Sequence, residues 1–327
     1  MQWYKGNLHC HSTESDGSVS PVDLARFYKG IGYDFIGIAD HNRYTPIEVY
    51  ADEAGILGIP CCEYTGKEFC HVVAAGVKEA VTPDPPEELL EQMLADDKLK
   101  LNLADSEAVT RALILQNGID KTLAAQGIPI ICHPFWRWTY RSQEVAQLRG
   151  CTHFELCNAC PDCNSFPLPG KSHADDMWDE LLSADIRIIA MASDDAHRHV
   201  MPSSRRDPVG GSGFNVVRAE SLTQEHILQA VRDGHCYATT GIILANYRVL
   251  DDRISVEVDV QQQEKTCIQF FGLDGRELQT EYATHSEYHF SGDETYVRCR
   301  IASTTGLWAW TQPVFMDDLN TAIAWTA

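Results

Sequence analysis

Six histidines, two aspartates and one glutamate stand out in this chain: His9, His11, Asp16, His41, Glu63, His71, His133, Asp195 and His197. They fall in five separated places, and nearly all follow a short apolar run. Neutral imidazole nitrogen and carboxylate oxygen are the donors that hold zinc, manganese or iron. Nine such groups exceed what one ion needs, so the pattern reads as a multinuclear metallohydrolase. Taken singly the signals are weak: 13 histidines in 327 positions give roughly half an H-x-H pair by chance, and His9-Cys10-His11 is one such pair. Their joint order, with each group expected at a strand exit, is what packing alone does not explain.

The elements that must position these groups follow from local pattern. Ser20-Pro21-Val22-Asp23 reads as a helix start, with a Ser cap, Pro at the first helical position and an acid at the third. Leu24, Phe27, Tyr28 and Ile31 recur at helical spacing, and Gly32 marks the stop. Phe35 to Ala39 is a short buried strand that ends at Asp40-His41-Asn42. Ile128 to Cys132 runs into His133-Pro134, and Ile186 to Ala192 runs into Ser193-Asp194-Asp195-Ala196-His197. Strands alternating with helices predict an α/β fold of mainly parallel strands, whose carboxyl ends gather the functional groups on one rim of a barrel-like sheet. Residues 84–126, rich in Leu, Ala, Glu and Asp, read as a helical excursion, expected to be a solvated cap. From about residue 245, Ile254, Val256, Val258 and Val260 alternate with polar residues, and Asp274-Gly275 signals a hairpin. A small antiparallel β-sandwich is expected there.

Size and charge narrow the partners. A chain of 327 residues has room for one large domain and a smaller one. A net charge of −21 argues against a surface that tracks a long nucleic acid. No stretch approaches the ~18 apolar residues of a membrane span, and the expected compartment is the cytoplasm. In a reducing compartment the 12 cysteines are expected to be free thiols, Cys157, Cys160 and Cys163 included. Their C-x-x-C-x-x-C spacing also suits zinc or part of an iron–sulfur cluster, for which a fourth cysteine nearby is missing.

Five segments resemble the PHP (polymerase and histidinol phosphatase) domain family, and they occur in family order: Asn7-Leu8-His9-Cys10-His11-Ser12 with Ser15-Asp16-Gly17, Ala39-Asp40-His41-Asn42, Pro60-Cys61-Cys62-Glu63, Cys132-His133-Pro134, and Asp194-Asp195-Ala196-His197. In the third, a cysteine replaces the family's glycine. The resemblance covers about residues 1–243 and implies a distorted seven-stranded barrel with two or three metal ions, manganese, iron or zinc. It implies that His9, His11, Glu63 and Asp195 hold the first ion. Glu63 bridges to a second held by His71 and His133, and Asp16, His41 and His197 hold the third. Asp194 or Asp40 is expected to orient a ligand imidazole from behind. Val216 to Ala219, Ala230 to Gly234 and Tyr237 to Gly241 resemble stand-alone members of the CehA/McbA-like group, which carry a trailing β-rich domain, here residues 244–327. Members of that wider group act on phosphate esters and, in some cases, on other esters.

The expected reaction is hydrolysis of a small phosphate ester, such as a nucleotide or sugar phosphate, by a metal-bridging hydroxide. Arg43, Arg205 and Arg206 are candidates for the phosphate, and residues 202–213 are a candidate lid. Lys67 and Arg137 are weaker candidates. Trp136 and Trp138 are placed to stack on a base or sugar, and His199 to give a proton to the leaving group. Two alternatives stand beside this: the same centre cleaving a carboxylic ester, carbamate or amide, and a metal-binding module without turnover.

Overall fold

The computed structural model describes residues 1–85, 87–89, 91, 106–166, 169–171, 173–198, 210–259 and 265–319. Its amino-terminal part alternates strand and helix as the patterning predicts: β1 (Gln2–Asn7), α1 (Pro21–Gly30), β2 (Phe35–Ile38), α2 (Ile47–Ala54), β3 (Leu57–Thr65), β4 (His71–Ala75), α3 (Ser106–Ala124), β5 (Ile128–Ile131), α4 (Ser142–Val145), β6 (His153–Asn158), α5 (Ala174–Ser183), β7 (Ile189–Ser193), β8 (Phe214–Ala219), α6 (Gln224–Arg232) and β9 (Cys236–Thr239). Helix α1 starts where the cap signal places it. The Ser20 hydroxyl accepts from the Asp23 amide and donates to its carboxylate, and Leu24, Ala25 and Tyr28 face the core.

These strands lie in one curved sheet in the order β9-β8-β1-β2-β3-β4-β5-β6-β7. Four ladders are parallel, β1/β2, β2/β3, β5/β6 and β6/β7. The β3/β4, β4/β5, β1/β8 and β8/β9 ladders are antiparallel. The sheet is therefore mixed rather than mainly parallel, and nine of its described strands come from this part of the chain.

Side chains tie β7, the last strand of this order, back to the other side of the sheet. Asn215 on β8 accepts from the Ala192 amide at 2.9 Å and donates to the Ala192 carbonyl at 2.7 Å. Gln312 does the same for Ala190, at 3.0 and 2.7 Å. Two amide side chains thus satisfy the free edge of β7, where an unpaired buried backbone group would be costly.

The helical excursion is not a solvated cap where it is described. Leu113, Ile114, Leu115 and Ile119 of α3 are buried in a cluster with Val72, Ala74 and Ile131 of the sheet. Much of the remaining 84–126 stretch lies outside the described residues.

The carboxyl-terminal part adds β10 (Leu244–Val249), β11 (Arg253–Val258), β12 (Thr266–Phe271), β13 (Glu277–Glu281), β14 (His285–His289), β15 (Tyr296–Ser303), β16 (Trp308–Thr311) and β17 (Val314–Phe315). Strands β10, β11 and β14 form a separate antiparallel sheet. Its Ile254, Val256 and Val258 share one apolar cluster with Ile268, Phe270, Cys299 and Ile301 of β12 and β15. Asp274 and Gly275 turn β12 into β13, both with positive φ. The boundary near residue 243 does not interrupt the hydrogen bonding: β16 pairs antiparallel with β9, so β12, β13, β15 and β16 continue the large sheet. A buried ion pair adds to this join. Arg298 on β15 binds Asp179 of α5 through two nitrogens, while Tyr296 donates to the same carboxylate.

Candidate metal centre

The chain leaves β1 as an extended segment, so alternate residues face one side. His9 and His11 point inward with their Nε2 atoms 3.3 Å apart. Cys10 between them turns away and donates to the Gly37 carbonyl. The loop after β7 runs beside this segment, with a bridge between Cys10 and Ala196, and brings Asp195 Oδ1 to 3.0 Å from His11 and 3.3 Å from His9. Both Asp195 and His133 hold positive φ, a conformation that costs a non-glycine residue of order 1–3 kcal/mol and clusters at functional sites.

Glu63 and His71 do not sit at strand exits. Glu63 lies within β3 and His71 opens β4, so the antiparallel hairpin carries both inward. Glu63 Oε1 is 3.4 Å from His9, 3.0 Å from His71 Nδ1 and 3.6 Å from His133. Its Oε2 is 2.5 Å from His41 Nδ1 and 3.7 Å from His11. Asp16 Oδ1 is 3.4 Å from His41 and 3.3 Å from His197. Three convergent groups result, each with donor atoms within 4.8 Å of one another: His9, His11 and Asp195; Glu63, His71 and His133; and His11, Asp16, His41 and His197. A further group joins His9, Glu63 and Cys132.

This donor set fits cations. Imidazole nitrogens face each other across 3.3 Å (His9 and His11) and 3.2 Å (His71 and His133), an arrangement that needs a shared proton or a positive ion between the lone pairs. Buried His11 Nδ1 and His133 Nδ1 have no hydrogen-bond partner. Burial would lower the pKa of His9 and His41, yet Asp195 and Glu155 at His9, and Asp16 and Glu63 at His41, hold both above the ordinary histidine value, His41 at about 10. Burial would raise Asp195 and Glu63, yet His9 with His11, and His71 with His9, hold them well below the usual carboxylate range. The centre draws positive charge into a buried place.

Two residues that support it were not legible in the sequence. Glu155 of β6 accepts from His9 Nδ1 at 2.7 Å, the His133 amide at 2.7 Å, the Ser193 hydroxyl at 2.6 Å and Asn158 Nδ2 at 2.9 Å. A proton on His9 Nδ1 leaves the Nε2 lone pair facing the centre. Asn158 also donates to Asp195 Oδ2 at 3.0 Å. The one available signal was an acid inside the otherwise buried run His153–Asn158. Asp40 and Asp194 do not orient an imidazole. Asp40 accepts from the Ser12 amide and the Ser12, Ser15 and Thr45 hydroxyls, which shapes the loop after β1. Asp194 accepts from Asn7, Tyr28 and the Gly211 amide, and burial raises its pKa to about 7.

The centre opens into a cavity of about 330 Å³, lined beyond the donors by Thr65, Trp136, Cys160, Asp162 and Cys163. Trp136 stands edge-on to His133, with ring centroids 5.0 Å apart. Trp138 is not part of this lining; Lys171 lies over its ring. Arg43 is exposed and paired with Glu14, and Arg137 stacks over Phe69. No lysine or arginine lines the cavity among the described residues. His199, Arg205, Arg206 and most of the 202–213 loop lie outside them. No described helix is long and apolar enough to cross a membrane.

No protein-family model matches the chain. Over 139 residues, 41% of this chain and 24% of the relative, it is 24% identical to the DNA polymerase/3'-5' exonuclease PolX of Bacillus subtilis. The chain thus spans about a quarter of that relative's length. Among solved structures, it is similar to a two-domain protein of Bacteroides vulgatus containing a predicted PHP-like metal-dependent phosphoesterase, at 15% identity and a TM-score of 0.49 over 93% of this chain and 91% of that one. It is also similar to an inferred metal-dependent phosphoesterase of Bifidobacterium adolescentis, at 14% identity and a TM-score of 0.40 over 70% and 94% of the two chains.

Proposed function

We propose that this chain, which resembles the PHP family in five motif segments, is a metal-dependent hydrolase of small phosphate esters. The observation that carries the proposal is the convergence of nine histidine, aspartate and glutamate side chains into three adjoining groups, two of which share His11, while Glu63 of the other reaches to 3.4 Å from His9 and 3.7 Å from His11. Divalent or transition ions held there supply Lewis acidity, which brings the pKa of water towards neutrality and offsets charge on phosphate oxygens.

The protein's own part is to bind, orient and exclude. His9, His11 and Asp195 form one holding group, Glu63, His71 and His133 a second, and Asp16, His41 and His197 a third. Glu155 fixes the His9 ring, and Trp136 walls the cavity against water on the His133 side. A cavity of about 330 Å³ suits a nucleotide or sugar phosphate. The net charge of −21 disfavours a long polyanion. His199 as proton donor and Arg205 and Arg206 as phosphate-binding cations complete this reading, as does membership of the CehA/McbA-like group.

A second reading has one observation in its favour. The absence of lysine and arginine from the described cavity lining suits a neutral carboxylic ester, carbamate or amide. Phosphate release by metal-reconstituted protein across phosphomonoesters, nucleotides and short oligonucleotides tests the first. Turnover that disappears in His133→Ala is expected. Silence across that panel with metal verified as bound, beside turnover of carboxylic esters or carbamates, would replace it with the second.

A further inference from the structure

The Cys-x-x-Cys-x-x-Cys spacing does not form a metal site among the described residues, because none of these three thiols joins a convergent donor group. Cys157 is buried within β6. Cys160 and Cys163 instead flank one tight turn, Pro161–Cys163, and both line the cavity that opens onto the metal centre. We infer that Cys160 and Cys163 are a reversible dithiol–disulfide pair through which an oxidant alters the metal centre.

Geometry supports the pairing. The Cys163 amide donates to the Cys160 carbonyl at 3.0 Å, which closes a four-residue turn. A turn of that kind brings its end Cα atoms within ~7 Å, inside or at the edge of the range a disulfide spans. The two thiols differ in access: Cys160 is partly exposed and Cys163 is buried. That difference suits an attacking and a resolving thiol. The Cys163 thiol hydrogen-bonds to Cys160 and lowers its pKa, whereas burial raises the thiols of Cys61, Cys151, Cys157, Cys236 and Cys299.

A short path links the turn to the donors. The Cys160 amide donates to Asn158 Oδ1 at 3.0 Å, and the Nδ2 of the same side chain donates to Glu155 at 2.9 Å and Asp195 at 3.0 Å. Tightening the turn into a disulfide pulls on the residue that holds one donor and the orienting carboxylate of another. It also changes the cavity wall at the two sulfurs.

With hydrogen peroxide as oxidant, the Cys160 sulfur attacks a peroxide oxygen, the O–O bond breaks, and one water leaves. The Cys163 sulfur then displaces the sulfenic oxygen as a second water and forms the S–S bond. Two thiols lose two electrons and two protons, and one hydrogen peroxide becomes two waters. Only the effect on turnover rests on the hydrolase reading; the thiol chemistry and its effect on metal binding stand without it.

The test uses the full chain loaded with zinc, which does no redox chemistry of its own. The protein is treated with hydrogen peroxide, alkylated and mapped by peptide mass. Zinc retention is read by competition with a chromophoric chelator. The expected result is a peptide carrying a Cys160–Cys163 disulfide, two fewer free thiols, and zinc affinity changed about tenfold, as for other disturbances of supporting contacts. A dithiol reductant should reverse all three. In Cys163→Ser the disulfide is absent and Cys160 is trapped by a sulfenic-acid reagent. Recovery of both cysteines alkylated after exhaustive peroxide treatment would overturn the proposal. So would a mapped disulfide that leaves zinc affinity unchanged.

Discussion

Replacing Glu155 with glutamine changes one oxygen to an amide nitrogen and tests whether this buried carboxylate sets the His9 tautomer. Glu155 accepts four hydrogen bonds, from the His9 ring and Ser193 hydroxyl at Oε1 and from the His133 amide and Asn158 at Oε2. The Oε2 position must remain an acceptor, because the His133 N–H cannot reverse and Asn158 is held by Cys160 and Asp195. The glutamine NH₂ therefore takes the Oε1 position. The Ser193 hydroxyl can turn to accept from it, but His9 Nδ1 must then give up its proton. That proton moves to Nε2, the atom facing His11, Glu63 and Asp195, and removes a donor lone pair. Loss of such an orienting partner costs ~10–100-fold in metal affinity, or about 1.4–2.7 kcal/mol. Zinc or manganese affinity of Glu155→Gln, measured by chelator competition, should fall by that factor, and urea unfolding of the metal-free protein should show how much of the change is general destabilisation. An affinity within about twofold of the parent would refute the tautomer argument.

Three further outcomes follow from the packing. His153 is buried with Nε2 donating to the Val231 carbonyl and Nδ1 accepting from Thr152, and burial lowers its pKa to about 4. The unfolded chain takes up that proton first, so this contribution is intact above pH 6.5 and declines as pH falls towards 4, by roughly 3 kcal/mol in all; urea midpoints across that range should lose part of their slope in His153→Gln. Asn215→Leu strips the Ala192 amide and carbonyl of their partner on the closed side of the sheet, and should cost about 1–3 kcal/mol for each group left unpaired, read as a lower denaturation midpoint. Arg298→Met leaves the Asp179 carboxylate buried without its cation and should destabilise by roughly 3–5 kcal/mol, whereas Arg298→Met combined with Asp179→Leu should regain most of that loss in the same melt.

Most of the converging side chains are readable because they belong to short runs whose local geometry already places them. The two-residue step from His9 to His11 puts both rings on one side of an extended chain, and Cys10 turns away as that step requires. Ser20 and Pro21 start α1 for equally local reasons. What local pattern does not reveal depends on contacts across the chain. Glu155 looks like one acid in a strand until its four donors, from residues 9, 133, 158 and 193, are seen to meet there. Glu63 and His71 were expected after strands, yet they sit inside a hairpin whose pairing with β5 is set by residues some sixty positions away. The closure of the sheet by Asn215 and Gln312 has no local pattern at all, since either amide in isolation reads as a surface residue.

The hold of Gln312 on Ala190 bears on where this chain can be shortened. Among the described residues every convergent donor group lies at or before His197, so a fragment ending after β9 would retain that set. It would lose Gln312, the Arg298 anchor on α5, and the pairing of Trp310 with Ala238. β7, which leads directly into Asp195, would have its Ala190 backbone bared, and β9 would offer a naked edge for another chain to zip onto. Ligand inventory and the bracing of the centre are separable properties here: among the described residues the part after β9 supplies no donor, yet it is the buttress against which the donor-bearing wall is braced.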